Sequence, residues 1–306
     1  MSIAILGGAG AMGGLYGGLL ARGGANVTLI DVARAAVDQI NAEGIRISEP
    51  EGDIVVPVRA STAPAEVGPV DLVIVFVKGP ATEAAMRGAL PLVGAGSAVV
   101  TLQNGWGNAA RLASVVGPDR VFGGTTVHSA GLAAPGHVRH TAKGLTTLGE
   151  YGRPVSERVR RVATLFNLAG IETQTSDDIL KVVWSKLALN CCALPPSALL
   201  RFAAGELVQH DGTLDLMREI LREVVAVAAK EGISLDANER WESIQGILKR
   251  AGGSKASMLQ DVEVRKRTEI DTINGAIVAA GRQHGVPTPY NQSVMWLVQS
   301  LHETFA

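Results

Sequence analysis

Cysteine is nearly absent: the 306 residues contain two, and these are neighbours, Cys191 and Cys192. A disulfide framework cannot be built from adjacent residues on one helix, and no metal-ligand spacing accompanies them. They are expected to pack as small apolar side chains, and such sparse cysteine suits a reducing cytoplasm. The histidines, His128, His137, His140, His210, His284 and His302, form no ligand constellation, so no metal is expected. A charge imbalance is lacking too, with 28 basic residues against 29 acidic ones. Without a basic block, neither nucleic acid nor an anionic membrane is an expected partner. Apolar runs such as Leu72–Val77 are strand-sized and too short to span a bilayer. Residues 1–21 are uncharged, but seven glycines between Gly7 and Gly18 interrupt them and no basic residue precedes them. That pattern argues against a secretory signal or a membrane span. The expectation is a soluble, cytoplasmic protein.

What is present is a chain of alternating texture. Ile3–Leu6, Val27–Ile30, Leu72–Val77 and Ala98–Leu102 are continuous, β-branched runs, as in parallel strands covered on both faces. Segments 11–22, 33–43, 80–92 and 107–115 supply crossover helices, which predicts an N-terminal Rossmann-like, doubly wound parallel sheet of α/β class. Residues 137–150 read as a hairpin added to one edge. Beyond about residue 175 long helical patterns take over at 177–203, 211–232, 237–251, 259–284 and 289–304. Asp177, Ser234 and Asp236 are expected as caps, and Gly232 and Gly285 as stops. The length suits two domains of about 150 residues each, drawn here at 1–175 for dinucleotide binding and 176–306 for a mostly helical catalytic domain.

The loop Gly8-Ala9-Gly10-Ala11-Met12-Gly13 follows the first strand and opens the first helix. In that setting Gly-x-Gly-x-x-Gly is a dinucleotide-binding fingerprint. Gly8 permits the tight turn, Gly10 lets backbone approach a pyrophosphate, and Gly13 lets helix pack on strand. Asp31 ends the second strand, where a carboxylate accepts ribose hydroxyls and repels a 2′-phosphate. NAD is therefore the expected cofactor. NADP stays open, because Arg34 stands three residues further on.

Lys186 and Asn190 are one helical turn apart and project from one face. Ketone reduction leaves negative charge on oxygen, and a nearby ammonium can protonate it. Alone, such a lysine is more often a solvated surface charge. The glycine loop, Lys78, Gln103-Asn104-Gly105, Trp184 to Asn190, Ser257 to Asp261 and Thr268 to Gly275 fall in an order that resembles the ketopantoate reductase (2-dehydropantoate 2-reductase) family over essentially the whole chain. The resemblance implies an NAD(P)-dependent reductase of 2-oxo acids and, by family, pantothenate biosynthesis, with homodimerisation an open option. It makes Lys186 the general acid and places Asn104 and Glu269 with it as catalytic groups. Asn104, Glu269, Lys78 and Ala130 fall around the cofactor, and Asn190 and Ser257 on the substrate. Each keeps a plainer reading: Asn104-Gly105 as a turn, Glu269 as an exposed charge on a helix, and Ser257 as a cap in a Ser257-x-x-Gln260 box.

Two positions depart from the family pattern. Leu194 and Ala204 stand where asparagines are typical, on the side where ketopantoate carries its hydroxyl. Leu194 falls two turns after Lys186 and on the same face if the helix continues, a geometry that Pro195 puts in question. Losing two amides there predicts a more apolar 2-oxo acid, branched or aromatic. Three alternatives remain: 2-dehydropantoate 2-reductase proper, a β-hydroxyacid dehydrogenase, or an NAD(P) sensor without turnover.

Overall fold

The computed structural model describes residues 1–305. The chain divides into two compact units, Met1–Gln103 with Asn108–Val182, and Asn104–Gly107 with Val183–Ala306.

The first unit opens with β1 (Ser2–Leu6), α1 (Ala11–Arg22), β2 (Asn26–Ile30) and α2 (Arg34–Glu43). Three strands follow, β3 (Ile45–Glu49), β4 (Gly52–Val56) and β5 (Arg59–Ser61). Next come β6 (Val70–Val75), α3 (Thr82–Gly88), β7 (Val93–Thr101), α4 (Asn108–Val116) and β8 (Val121–Thr126). The unit continues through β9 (Ser129–Ala134), β10 (His137–Ala142), β11 (Thr146–Gly149), α5 (Glu157–Leu168) and β12 (Thr173–Thr175). The large sheet runs β12-β11-β8-β7-β6-β1-β2-β5. Its stretch from β5 to β8 is parallel throughout. The strand order reverses at β1, with β2 on one side and β6 on the other, the arrangement of a doubly wound dinucleotide-binding sheet. Both faces are covered: Ile3, Ile5, Leu29 and Ile74 join one apolar cluster, and Ala4, Leu6, Ile30 and Val75 the other. That double burial is why these strands read as unbroken apolar runs.

The expected 137–150 hairpin does not form. β10 pairs with β9 and β3 in a separate four-stranded sheet, whereas β11 pairs with β8 and β12 in the large one. The two runs sit in different sheets because β10 answers the apolar edge of Ile45 and Ile47, which lie against α1. Added Cβ atoms at Gly14 and Gly18 would meet Ile45, Ile47 and Val138 at under 3 Å. The small sheet thus rests on a helix face kept bare for it.

The second unit is helical: most of α6 (Ile179–Leu200), then α7 (Asp211–Lys230), α8 (Ala237–Ala251), α9 (Ser257–Glu263), α10 (Asn274–His284) and α11 (Pro289–Glu303). Trp184, Cys191, Met217, Val224, Ile277 and Val298 are all fully buried in it. The expected single helix over 259–284 is broken. α9 stops at Glu263, Arg265 turns left-handed at φ 55, and a 3-10 turn spans Ile270–Thr272 before α10 begins. The apolar period of Ile270, Ile273 and Ile277 holds, since all three are buried. That period records which side meets the core, and the β-branched Thr268, Ile270, Thr272 and Ile273 weaken the helix between. Among the expected caps, Asp236 accepts the Glu239 N–H at 2.8 Å. Ser234 lies outside the helix it was expected to cap. Asp177 instead accepts Val155 N–H, and Asp178 caps α6 through Lys181 N–H at 3.1 Å. The helix runs on through Pro195 and Pro196. Leu194 therefore keeps the face of Lys186 and Asn190.

Candidate active site

The glycine loop joins β1 to α1. Gly7, at φ +77, takes the left-handed conformation in this turn, and Gly8 follows it within the turn. Gly8 is required for a different reason, because a Cβ there would stand 2.6 Å from Leu29 Cβ on β2. A Cβ on Gly13 would overlap the Gly7 carbonyl, so this glycine sets the approach of helix to strand. Gly10 is the N-cap of α1 and offers no side-chain cap, leaving first-turn N–H groups to meet an anion. Asp31, at the end of β2, accepts Ala9 N–H at 3.0 Å and Ala33 N–H at 3.1 Å. A carboxylate has about four acceptor sites, so ribose hydroxyls can still be received. Arg34 donates to Thr62 Oγ1 at 2.9 Å, away from a carboxylate partner. These residues fit a dinucleotide: bare glycines and helix N–H groups for the pyrophosphate, an acid for the ribose. In the same unit Lys78 follows β6 and Ala130 lies on β9, both half-buried.

The second unit brings Lys186, Asn104 and Glu269 together. Lys186 Nζ donates to Asn104 Oδ1 at 2.8 Å, and Asn104 Nδ2 donates to Glu269 Oε2 at 3.2 Å. With a cation at one end and a carboxylate at the other, the orientation of the amide is fixed. Burial lowers the Lys186 pKa to about 8, although the Glu269 charge works to raise it. Asn104 reaches this site because the segment 104–107 belongs to the helical unit. Gly105, at φ +90, passes so close to Thr272 that a Cβ would overlap its carbonyl, and Trp106 N–H donates to that carbonyl at 2.9 Å. Trp106 also packs on Trp184, with ring centroids 5.2 Å apart. Thr272 and Trp184 were not expected at the site from sequence; the glycine after Asn104 was the available signal for a close approach.

Glu269 is not on a helix. It precedes the 3-10 turn, and this frees its carboxylate to face Asn104 rather than lie along a helix surface. Asn190, 8% exposed, follows Lys186 by one turn of α6, and buried Leu194 by two. Ala204 is buried in the segment after α6. Ser257 is the first residue of α9 and exposed, and the capping box does not form: Ala256 is the N-cap, without a side-chain bond, and Gln260 donates to Lys255 O. Among the described residues no group of His, Cys, Asp or Glu could hold a metal, and no helix is long and apolar enough to cross a membrane.

The family described as ketopantoate reductase PanE/ApbA matches residues 3–153, and its C-terminal counterpart matches 178–302. A 2-dehydropantoate 2-reductase of Halobacterium salinarum is 35% identical over 293 residues, covering 95% of this chain and 96% of that one. Among solved structures, the fold resembles D-mandelate dehydrogenase with NADH and anilino(oxo)acetate at TM-score 0.94 and 29% identity, covering 100% and 99% of the two chains. It also resembles a PanE/ApbA family ketopantoate reductase from Ralstonia eutropha JMP134 at TM-score 0.90 and 34% identity, with the same coverage.

Proposed function

Because the chain belongs to the ketopantoate reductase family, we propose that it reduces the 2-oxo group of a small 2-oxo acid with NADH, favouring an apolar or aromatic substituent over the hydroxylated one of ketopantoate. The chain Lys186–Asn104–Glu269 carries this reading. A bound nicotinamide supplies the hydride that reaches C2. Lys186 delivers the proton to the carbonyl oxygen, so that the ketone becomes a hydroxyl and the lysine becomes neutral until solvent reprotonates it. Asn104 aims the ammonium, and Glu269 orients Asn104. With a pKa near 8, Lys186 remains charged at neutral pH yet gives up its proton more readily than an ordinary lysine. Asn190, on the same helix face, is assigned to the substrate, and Ser257 to its carboxylate.

Leu194 and Ala204 support the apolar preference, since neither can hydrogen-bond a substrate hydroxyl. The likeness to D-mandelate dehydrogenase, with its bound anilino(oxo)acetate, supports an aromatic substituent. Asp31 supports NAD over NADP. A second reading, 2-dehydropantoate 2-reductase proper, is favoured by the names of the relatives at 35% identity. Steady-state kinetics with ketopantoate, branched and aromatic 2-oxo acids, each with NADH and NADPH, separates them. An aromatic or branched acid is expected to give a kcat/KM about tenfold or more above that of ketopantoate. The opposite order establishes the second reading.

A further inference from the structure

We infer that Asn274 is a positioning residue for the reduction: it replaces the hydrogen bond that Pro195 removes from α6 and so holds the helix carrying Lys186 and Asn190 against the segment carrying Glu269. Pro195 has no N–H, so the carbonyl four residues earlier, on Cys191, loses its partner within the helix. That carbonyl accepts instead from Asn274 Nδ2 at 3.1 Å. The donor is itself fixed. Asn274 Nδ2 also donates to Asn291 Oδ1 at 3.0 Å, while Asn291 Nδ2 donates to Glu223 Oε2 at 2.7 Å and to Ile220 O at 3.3 Å. Glu223 further accepts the N–H groups of Tyr290 and Asn291, at 2.8 and 2.9 Å. Asn274 and Asn291 are both fully buried. Both neighbours of the Asn274 amide are acceptors, which settles its orientation, and its Oδ1 is left buried with no hydrogen-bond partner. A residue present only to fill space would not need that unpaired oxygen.

Location ties the contact to the chemistry. Cys191 is the residue after Asn190 and lies about 7.5 Å along the helix axis from Lys186 at 1.5 Å per residue. Asn274 lies a few residues beyond Glu269 on a segment that holds Asn104 through Glu269 and Trp106 through the Thr272 carbonyl. The same two stretches of chain are therefore joined twice, by Lys186–Asn104–Glu269 and by Cys191–Asn274. Without the second tie, α6 is free to shift at its proline break, and small displacements of a proton donor cost rate more than binding.

The proposal rests on the reductase reading for its kinetic arm only. Asn274→Ala is expected to lower kcat about tenfold or more while leaving the KM for NADH near its native value. In a Pro195→Ala background, where residue 195 regains an N–H for the Cys191 carbonyl, the same substitution should cost about threefold or less. An unchanged kcat in Asn274→Ala, or an equal loss with proline and with alanine at 195, overturns the proposal. If Asn274→Ala gives no cooperative melt, Asn274→Ser is compared in the two backgrounds under the same criteria. The second arm follows the Lys186 ammonium by NMR titration, which requires no turnover. Its midpoint is expected to rise by about one unit in Asn274→Ala, as a displaced lysine regains water, and to return in the double variant; an unmoved midpoint counts against the proposal. A native chain that turns over no 2-oxo acid overturns the reductase reading and leaves the titration to decide this one.

Discussion

A lysine largely withdrawn from water keeps its charge only where something compensates it. Lys186 has a neutral amide at 2.8 Å and, beyond it, the Glu269 carboxylate. Burial outweighs that compensation and brings the pKa to about 8. In the proposed reduction the protonated form is the donor, so the rate is expected to fall as pH rises through about 8. Measured between pH 6.5 and 9.5, kcat/KM, which reports ionisations of the free protein, should fall with a single apparent ionisation, and a flat profile would remove Lys186 as the proton donor. Lys186→Ala should lower kcat by about 10²–10⁴-fold while NADH still quenches protein fluorescence with native affinity. At this scale the sequence was readable only in part. The order of blocks pointed to Lys186, Asn104 and Glu269, but no periodicity could show that one amide bridges the other two. Asn274 went unnoticed because its contact with α6 is to a backbone carbonyl, and backbone atoms leave no mark in a residue pattern.

Elements carry their signals unevenly. β1, α1 and α8 were placed almost residue for residue, because a glycine loop, a double-sided apolar run and an aspartate cap are all local. The break in 259–284 was hidden, since buried Ile270, Ile273 and Ile277 keep a helical spacing through a backbone that is not helical. The hairpin at 137–150 failed for a related reason: strand pattern shows that a segment pairs, and tertiary context decides with what. The glycine loop allows a sharp comparison. Gly13→Ala drives a Cβ into the Gly7 carbonyl, which is backbone and cannot rotate away. A loss of about 1–3 kcal/mol is expected from that overpacking. Gly10→Ala meets the same carbonyl at 3.2 Å and should keep most of the stability while weakening NADH binding. Urea unfolding of both variants beside NADH titration measures the difference; equal stability would mean that the helix can back away from the strand.

For the molecule as a whole, near-neutral net charge places no general electrostatic strain on the fold at pH 7, so its response to acid comes from particular buried groups. In the first unit Glu49 accepts from His140 Nδ1 at 2.7 Å, and His140 Nε2 lies 2.9 Å from His128 Nδ1. A neutral His140 that donates to the carboxylate accepts from His128 Nδ1–H, which leaves His128 Nε2 buried and unpaired. Burial first, and the neighbouring His140 second, lower the His128 pKa to about 4. A histidine depressed in the folded state costs nothing above its unfolded pKa near 6.5. Stability is then lost as pH falls from there through about 4. Glu150 adds to the effect. Burial alone would raise its pKa, but hydrogen bonds from Arg158 and Ser156 prevail and lower it, so its contribution is lost in acid as well. Between pH 7 and pH 5 the first unit should lose about 2 kcal/mol through His128. Chemical denaturation of His128→Gln should show that much less pH dependence than the native chain, and identical slopes would remove the histidine from the account. None of this was visible in a sequence where six histidines lie scattered and the two that meet are twelve positions apart.

The short excursion at Asn104–Gly107 makes the molecule indivisible in a way its two-unit layout conceals. Four residues from the middle of the first unit's stretch of sequence are structurally citizens of the second unit, and they include Asn104, the amide that links Lys186 to Glu269. A gene cut at the boundary in α6 would yield a C-terminal fragment that lacks Asn104, and a grafted helical half would arrive without it. Shuffling of these halves between relatives, by recombination or by design, therefore has to transfer two pieces of coding sequence at once.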